Sequence, residues 1–254
     1  MARQAWKRHQ MHMVPLQTMV DEAIEFIREY EPPEGYFVAF SGGKDSIVTL
    51  ELVRMSGVKH QAFYSATGID PPEVVKFIRE HYSEVKFLRP KMTFWEGIQR
   101  NNPPTRWARW CCRILKEECS RHIDLEHRIF GLRSEESLSR AKRGQISYNK
   151  KLKQHEHKPI FGWKEYHVWE FIESNFLPYP SLYDEGWDRV GCVICPFNAH
   201  KNMARMLIHK RRWPKYFNTF EHAVSRWFNA KRLGVDDTFD TAEEYIQAWY
   251  RGFE

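Results

Sequence analysis

An apolar run, Tyr36-Phe37-Val38-Ala39-Phe40, breaks at Ser41-Gly42-Gly43-Lys44-Asp45-Ser46 and is followed at once by Ile47-Val48-Thr49-Leu50. The pattern predicts a buried strand, a glycine turn and the first turn of a helix. Two adjacent glycines let the backbone turn tightly and bring several N–H groups toward one point. The positive end of the following helix dipole favours a negative group there. Lys44 adds a mobile full charge, and Ser41 and Ser46 add hydroxyl donors. A bare Gly-Gly would be an ordinary turn, but the whole hexapeptide between strand and helix is a phosphate cradle. Its spacing is not that of the Walker loop, which separates its first glycine more widely from its Gly-Lys pair.

The segments around this loop alternate. Val20, Ala23, Ile24, Ile27 and Tyr30 repeat at helical spacing, and Pro32-Pro33-Glu34-Gly35 ends that helix. After the loop, a helix from about Ser46 stops at Gly57, and His60 to Ser65 reads as a strand. Pro71-Pro72 opens a helix carrying Val74, Val75, Phe77 and Ile78, and Val85 to Leu88 is a further short strand. Arg128 to Leu132 continues the series. Such alternation predicts an α/β fold, a parallel twisted sheet with helices on both faces, which binds nucleotides at the C-terminal ends of its strands. Gly131-Leu132-Arg133 would leave such an end, placing Arg133 near the nucleotide phosphates, although an ion pair with Glu135 or Glu136 is an equal reading. Lys142 to Lys158 is basic without an apolar period and reads as a mobile loop.

We divide the 254 residues into an N-terminal helical segment (1–35), a nucleotide-binding and cysteine-bearing domain (36–197) and a basic, aromatic helical region (198–254). In the last, Lys210-Arg211-Arg212, Lys215, Arg226, Lys231 and Arg232 lie among Trp213, Tyr216, Phe217, Phe220, Trp227 and Phe228. The aromatics suit core packing, and the basic residues suit a nucleic-acid backbone, DNA in preference. A formal net charge of +6 agrees with a polyanionic partner. Asp240-Thr241-Ala242-Glu243-Glu244 starts a last helix with a capping box. No apolar run approaches a membrane span, and the basic start Met1 to His9 lacks an apolar secretory core, so the expected location is cytoplasmic, with no membrane partner.

Five cysteines are grouped as Cys111-Cys112, Cys119, then Cys192 and Cys195. Grouping of this kind points to a metal or redox centre rather than a disulfide framework. Cys111, Cys112, Cys192 and Cys195 offer four soft ligands, suited to a [4Fe-4S] cluster, with zinc as the alternative. Adjacent ligands strain a single tetrahedral metal, whereas a cluster presents several irons. Cys119 reads as a small buried residue or, alternatively, a sulfur-carrying thiol.

The hexapeptide resembles the loop of N-type ATP pyrophosphatases, which implies cleavage of ATP between its α- and β-phosphates. Together with Thr67-Gly68, Arg109-Trp110-Cys111-Cys112, Gly131 to Ser137, Pro159 to Trp163, Leu177 to Asp184 and Gly191 to Cys195, it resembles the phosphoadenosine and adenosine phosphosulfate reductase family. That family has the adenine-nucleotide α-hydrolase fold, and the cysteine pattern is similar to the cluster ligands of its adenosine phosphosulfate branch. The resemblance implies nucleotide contacts at Ser41, Gly42, Gly43, Lys44, Asp45, Ser46, Thr67, Gly68 and Arg133. Lys44, Asp45 and Arg133 then serve catalysis, with Asp45 orienting the loop or a Mg²⁺ ion.

Two features set the chain apart from such reductases. No cysteine follows Cys195 in these residues, where the reductases carry their attacking thiol, and Lys44-Asp45-Ser46 keeps the full ATP-pyrophosphatase form. Ala66 also stands where an acidic residue is usual before Thr-Gly. These features resemble the ATP-pyrophosphatase subunits of Dnd and Ssp DNA phosphorothioation systems, implying ATP-driven sulfur insertion with a cysteine desulfurase as donor. The alternatives are a sulfonucleotide reductase using another chain's thiol, a tRNA or small-molecule sulfurtransferase, and a non-catalytic nucleotide- or redox-sensing subunit.

Overall fold

The computed structural model describes residues 14–201, 203–231 and 238–253. The basic start Met1 to His9 and Arg232 lie outside them. The chain forms two compact units, each assembled from separate stretches. The first comprises the described residues of Met1–Tyr64 with Pro72–Phe87 and His122–Val190; the second comprises those of Ser65–Pro71, Leu88–Arg121 and Gly191–Glu254. The boundaries drawn from the sequence were consecutive, whereas the units interleave, because hydrophobic burial joins segments that the chain order separates.

Six strands make one sheet: β1 (Tyr36–Ala39), β2 (His60–Ser65), β3 (Lys86–Leu88), β4 (His127–Phe130), β5 (Ile146–Asn149) and β6 (Gln154–His157), in the order β3-β2-β1-β4-β6-β5. The β1–β2, β1–β4 and β4–β6 pairs are parallel, with Val38 opposite Ala62 on one side and Ile129 on the other; β5–β6 is antiparallel. The sheet belongs to the first unit except for Ser65 and Leu88, the last residues of β2 and β3.

Strand β1 is central, so Tyr36, Phe37 and Val38 are all buried, as expected for a parallel strand covered on both faces. Helix α1 (Leu16–Glu29) packs on α2 (Lys44–Ser56), and α2 packs on α7 (Glu165–Ser174). Ile47, Val48, Leu50, Leu52 and Val53 are all buried in α2, as are Ser46 and Thr49, so this helix is covered on nearly every side. Each such apolar side chain removed from water is worth about 1.5–3 kcal/mol. Gly57 closes α2 in the left-handed conformation at φ 74°, the stop read from the sequence.

The reading of Lys142 to Lys158 as a mobile loop is corrected. Residues Ile146–Asn149 and Gln154–His157 form the β5–β6 hairpin, and helix α6 (Leu138–Ala141) precedes it. The inward positions of β6 are polar, so no apolar alternation marks the strand: Gln154 and His157 are buried, as is the following Lys158. The Lys158 ammonium donates to Ser147 Oγ at 2.7 Å and lies 3.6 Å from Glu156. Pairing rather than hydrophobicity keeps the Lys158 ammonium inside.

Helix α3 (Pro72–His81) belongs to the first unit, whereas α4 (Phe94–Asn101) and the helical stretch α5 beginning at Trp110–Cys112 belong to the second. Beyond it come α8 (Pro196–Lys201), α9 (Met203–Arg212), α10 (Pro214–Lys231) and α11 (Ala242–Arg251). Phe217, Phe220, Trp227 and Phe228 are buried, so the aromatics of the basic region form core. Thr241 and Glu244 make the expected capping box of α11.

Candidate functional site

The phosphate loop sits after β1, and β2 and β4 flank β1 on opposite sides. Strand order therefore reverses at β1, and open α/β sheets bind ligands in the crevice at such a switch point. Gly42 has φ 72°, and a Cβ there would meet Ile78 at 2.9 Å and Val74 at 3.0 Å, so only glycine completes this turn. Gly43, in extended backbone, is the N-cap of α2 and has no side chain to cap it, so the amides of the first helical turn face the loop without a cap from the N-cap residue. The Ser46 hydroxyl donates to the Gly43 carbonyl at 2.8 Å and accepts from the Ser41 N–H at 3.2 Å, which cross-braces the loop.

Charge converges here from three elements of the first unit. Lys44, only 4% exposed, donates from Nζ to the Asp188 carbonyl at 3.0 Å and lies 3.3 Å from Glu165. Arg133, which follows β4, donates from Nε to Asp45 Oδ1 at 2.5 Å and from its other arm to Glu135. The ion pair with Glu135, one of the two readings of Arg133, forms, while a contact to nucleotide phosphates stays an expectation. Burial works against the Arg133 charge, but Asp45 and Glu135 outweigh it and hold the guanidinium protonated. Asp45 thus orients Arg133 against the start of α2. Gly131 permits this approach: a Cβ there would stand 2.7 Å from the Asp45 carbonyl oxygen.

Sequence reasoning named Lys44, Asp45 and Arg133 but gave no role to Tyr183, whose hydroxyl accepts the Lys44 N–H at 3.0 Å, or to Glu165. The signal for Tyr183 was weak, an aromatic after Pro-Ser-Leu with no charge. Thr67 and Gly68 belong to the second unit. Thr67 Oγ1 donates to Asp70 Oδ2 at 2.7 Å and accepts the Ile69 N–H at 3.3 Å, while Gly68 turns at φ 77°. Their hydrogen bonds build a turn, and a nucleotide contact there stays an expectation.

All five cysteines lie in the second unit, and none of them is in a disulfide. Stretch α5 runs without interruption through a π-helical Arg113–Glu117 into a 3-10 turn, Glu118–Ser120. Such π segments recur at functional sites. Trp110 fixes its start, stacking on Phe94 and donating from Nε1 to the Asn102 carbonyl at 2.9 Å. The Cys192–Cys195 loop is held by its buried centre: Val193 and Ile194 are almost unexposed, and the Val193 N–H reaches the Ile69 carbonyl at 2.7 Å.

These thiols feel one another. A hydrogen bond with Cys112 raises the Cys111 thiol, and burial together with the charges of Cys112, Cys192 and Cys195 raises it further. The same hydrogen bond favours the Cys112 thiolate, helped by Lys116 and Arg109. Burial pushes Cys192 up to about 12 against the pull of Lys116. The Lys116 ammonium, which sequence reasoning missed, is buried near Cys192 and Asp70, whose charges push it up against the burial. Its signal was its place one helical turn after Cys112. Cys119 is buried and donates to the Lys116 carbonyl at 3.1 Å, in keeping with a packing role.

Among the described residues no group of three His, Cys, Asp or Glu is arranged to hold a metal ion. The donor chemistry of the four thiols, within reach of each other's charge, still fits a thiolate-bound cluster. Of the basic C-terminal residues, Lys210 pairs with Glu221 at 2.5 Å, whereas Arg211 and Lys215 are exposed. No helix among the described residues is long and apolar enough to cross a membrane.

Comparison with known proteins agrees with this architecture. The family model of the phosphoadenosine phosphosulfate reductase domain matches residues 35–198. An uncharacterized protein of Methanocaldococcus jannaschii is 34% identical over 226 residues, covering 84% of this chain and 46% of its own length. The chain spans about half the length of that relative and of a second one from the same organism. The adenosine 5'-phosphosulfate reductase of Staphylococcus haemolyticus is 25% identical over 168 residues, 61% of this chain and 68% of its own. Among solved structures, the phosphoadenylyl-sulfate reductase of Candida auris superposes with a TM-score of 0.55 at 14% identity, covering 72% of this chain and 97% of that one. The Candida glabrata FMN adenylyltransferase with an ATP analogue gives 0.54 at 14% identity, covering 72% and 68%. The two superpositions speak for the fold, and the match over residues 35–198 speaks for descent: this chain belongs to the phosphoadenosine phosphosulfate reductase domain family.

Proposed function

We propose that the chain binds an adenine nucleotide at Ser41–Ser46 and uses it in sulfur chemistry of the kind its sulfonucleotide reductase relatives are named for. The observation that carries this reading is the convergence of the Lys44 ammonium, the Arg133 guanidinium and the first amides of α2 at the switch point beside β1. Preformed donors of this sort stabilise charge as it grows on a leaving phosphate. Cys111, Cys112, Cys192 and Cys195 would hold a [4Fe-4S] cluster, which supplies electrons or a sulfur-binding iron when bound. In the reductase reading a thiol, brought by a second protein, attacks the sulfate sulfur of a phosphosulfate. The S–O bond to the nucleotide breaks, AMP leaves, and a further thiol releases sulfite.

One feature favours a second reading. Lys44-Asp45-Ser46 offers an ammonium for a phosphate, a carboxylate for Mg²⁺ and a hydroxyl, so ATP with Mg²⁺ is a fitting substrate. A non-bridging phosphate oxygen of DNA would then attack the α-phosphorus and expel pyrophosphate; the terminal sulfur of a desulfurase persulfide would next attack the DNA phosphorus and expel AMP, and a thiol would cleave the resulting S–S bond, leaving the phosphorothioate and a disulfide. The exposed Arg211 and Lys215 suit the nucleic-acid backbone. Purified protein given either phosphosulfate with thioredoxin, or ATP with DNA and a desulfurase, separates the readings. Sulfite release supports the first; pyrophosphate release lost in Lys44→Ala supports the second. Neither product in either mixture refutes both.

A further inference from the structure

The N–H of Lys44 is the first amide of α2, where an anion gains most from the helix dipole, and it already has a partner. It donates to the Tyr183 hydroxyl at 3.0 Å. The lysine side chain is engaged by the same stretch of chain, through the Asp188 carbonyl at 3.0 Å. Above Gly43 there is no open room either: a Cβ there would meet Val190 Cγ2 at 3.2 Å and the Tyr183 hydroxyl at 3.4 Å. Segment Ser181–Val190 therefore meets the loop at its amide, its glycine and its ammonium. All these residues belong to the first unit.

An oxygen that accepts the first backbone N–H of a helix has the surroundings of a bound phosphate oxygen. The Tyr183 ring is held for this task, edge-on to Trp169 at 5.1 Å and with the Lys44 ammonium 5.5 Å from its centroid. Burial pushes the phenol well above its ordinary range, so the oxygen stays neutral and a phosphate outcompetes it in charge. A phosphate oxygen that takes the Lys44 N–H must displace this hydroxyl.

We propose that Tyr183 is a positioning residue of the phosphate site: its hydroxyl holds the place of a phosphate oxygen, and nucleotide enters by taking Lys44 from Tyr183 and Asp188. The proposal rests on the reading of Ser41–Ser46 as a nucleotide site and adds a built-in competitor to it. Without the hydroxyl, the Lys44 N–H loses its acceptor, and bound phosphate restores one. Tyr183→Phe should therefore bind nucleotide more tightly, by about fivefold for one neutral hydrogen bond.

The test is calorimetric titration of the full chain with ATP bridged by methylene between its α- and β-phosphates, for the wild type and Tyr183→Phe, with unfolding temperature measured alongside. Phenylalanine keeps the ring against Trp169, and damage to the loop would weaken binding, so a gain in affinity cannot come from lost structure. Tighter binding by the variant supports the proposal. Equal or weaker binding by the variant, with the wild type binding, overturns the proposal alone. Absence of binding by both folded proteins overturns the nucleotide reading, and this proposal with it.

Discussion

The phosphate loop and the cysteine centre both keep polar groups away from water, but by different means. The loop closes on itself: Ser41, Gly43 and Ser46 satisfy one another within six residues, and β1 and α2 hold them by burial. The cysteine centre draws on three stretches, 65–71, 110–120 and 191–195, and balances sulfur against Lys116 and Asp70. A site made from consecutive residues takes its geometry from local backbone, whereas a site made from distant ones depends on the fold that gathers them. Damage should accordingly be local in the first and collective in the second.

The sharpest contrast is all-or-none. Iron and acid-labile sulfide in anaerobically purified protein should be lost in Cys192→Ser and retained in Cys119→Ser, because only the first removes one of the four candidate ligands. Equal content in both would break the assignment, and zinc without iron in the wild type would replace the cluster. At the loop, Lys44→Ala should weaken binding of the methylene-bridged ATP about 100-fold, the worth of a charge-assisted phosphate contact. Its unfolding free energy should change by no more than about 1 kcal/mol, since Glu165 keeps access to solvent. A large loss of stability would show that the loop is less self-contained than its hydrogen bonds indicate.

That difference also explains what could be read before the structure. The strand, the glycine turn and the start and end of α2 were legible, because Tyr36–Phe40, Gly42-Gly43 and Gly57 each act on their own neighbourhood. His60–Ser65 was read with its observed bounds for the same reason. Arg133 was placed through the expected strand end, a topological argument that the β1–β4 pairing satisfies. Tyr183 escaped a role because it lies 139 residues from the amide it meets, and nothing local marks such a partner. Lys116 escaped because a lysine on a helix is ordinarily solvated, and only folding places it against Cys192 and Asp70. The β5–β6 hairpin was hidden by its polar interior.

Gly131 tests how closely β4 must approach the loop. Gly131→Ala should cost about 1–3 kcal/mol in urea unfolding, because its new Cβ would stand 2.7 Å from backbone oxygen, which cannot move aside as a side chain tip can. Gly162→Ala is the matched control: no atom lies within 4 Å of the site and its φ is not positive, so the change should be near zero or slightly stabilising. Equal effects at the two glycines would mean that the close approach carries no energetic weight.

Acid offers the mildest probe, because it should act on the first unit and spare the second. His157, 2% exposed in β6, is pushed down to about 4 by burial and by His127, His155 and Lys158 around it. His127, whose Nδ1 lies 3.1 Å from His157 Nε2, is lowered as well. An unfolded chain protonates such a histidine near 6.5, whereas the folded one resists until about 4. Between those values the unfolded state binds more protons, so stability is full above about 6.5 and declines as the pH falls toward 4. At pH 5 the loss from His157 is at most about 2 kcal/mol. Amide exchange protection in β4 and β6 should fall between pH 7 and pH 5 by up to about 30-fold. Protection in α10 of the second unit should hold, and His157→Gln should flatten the decline in β4 and β6. Equal loss in both units would show that acid acts on the molecule as a whole and not through this histidine cluster.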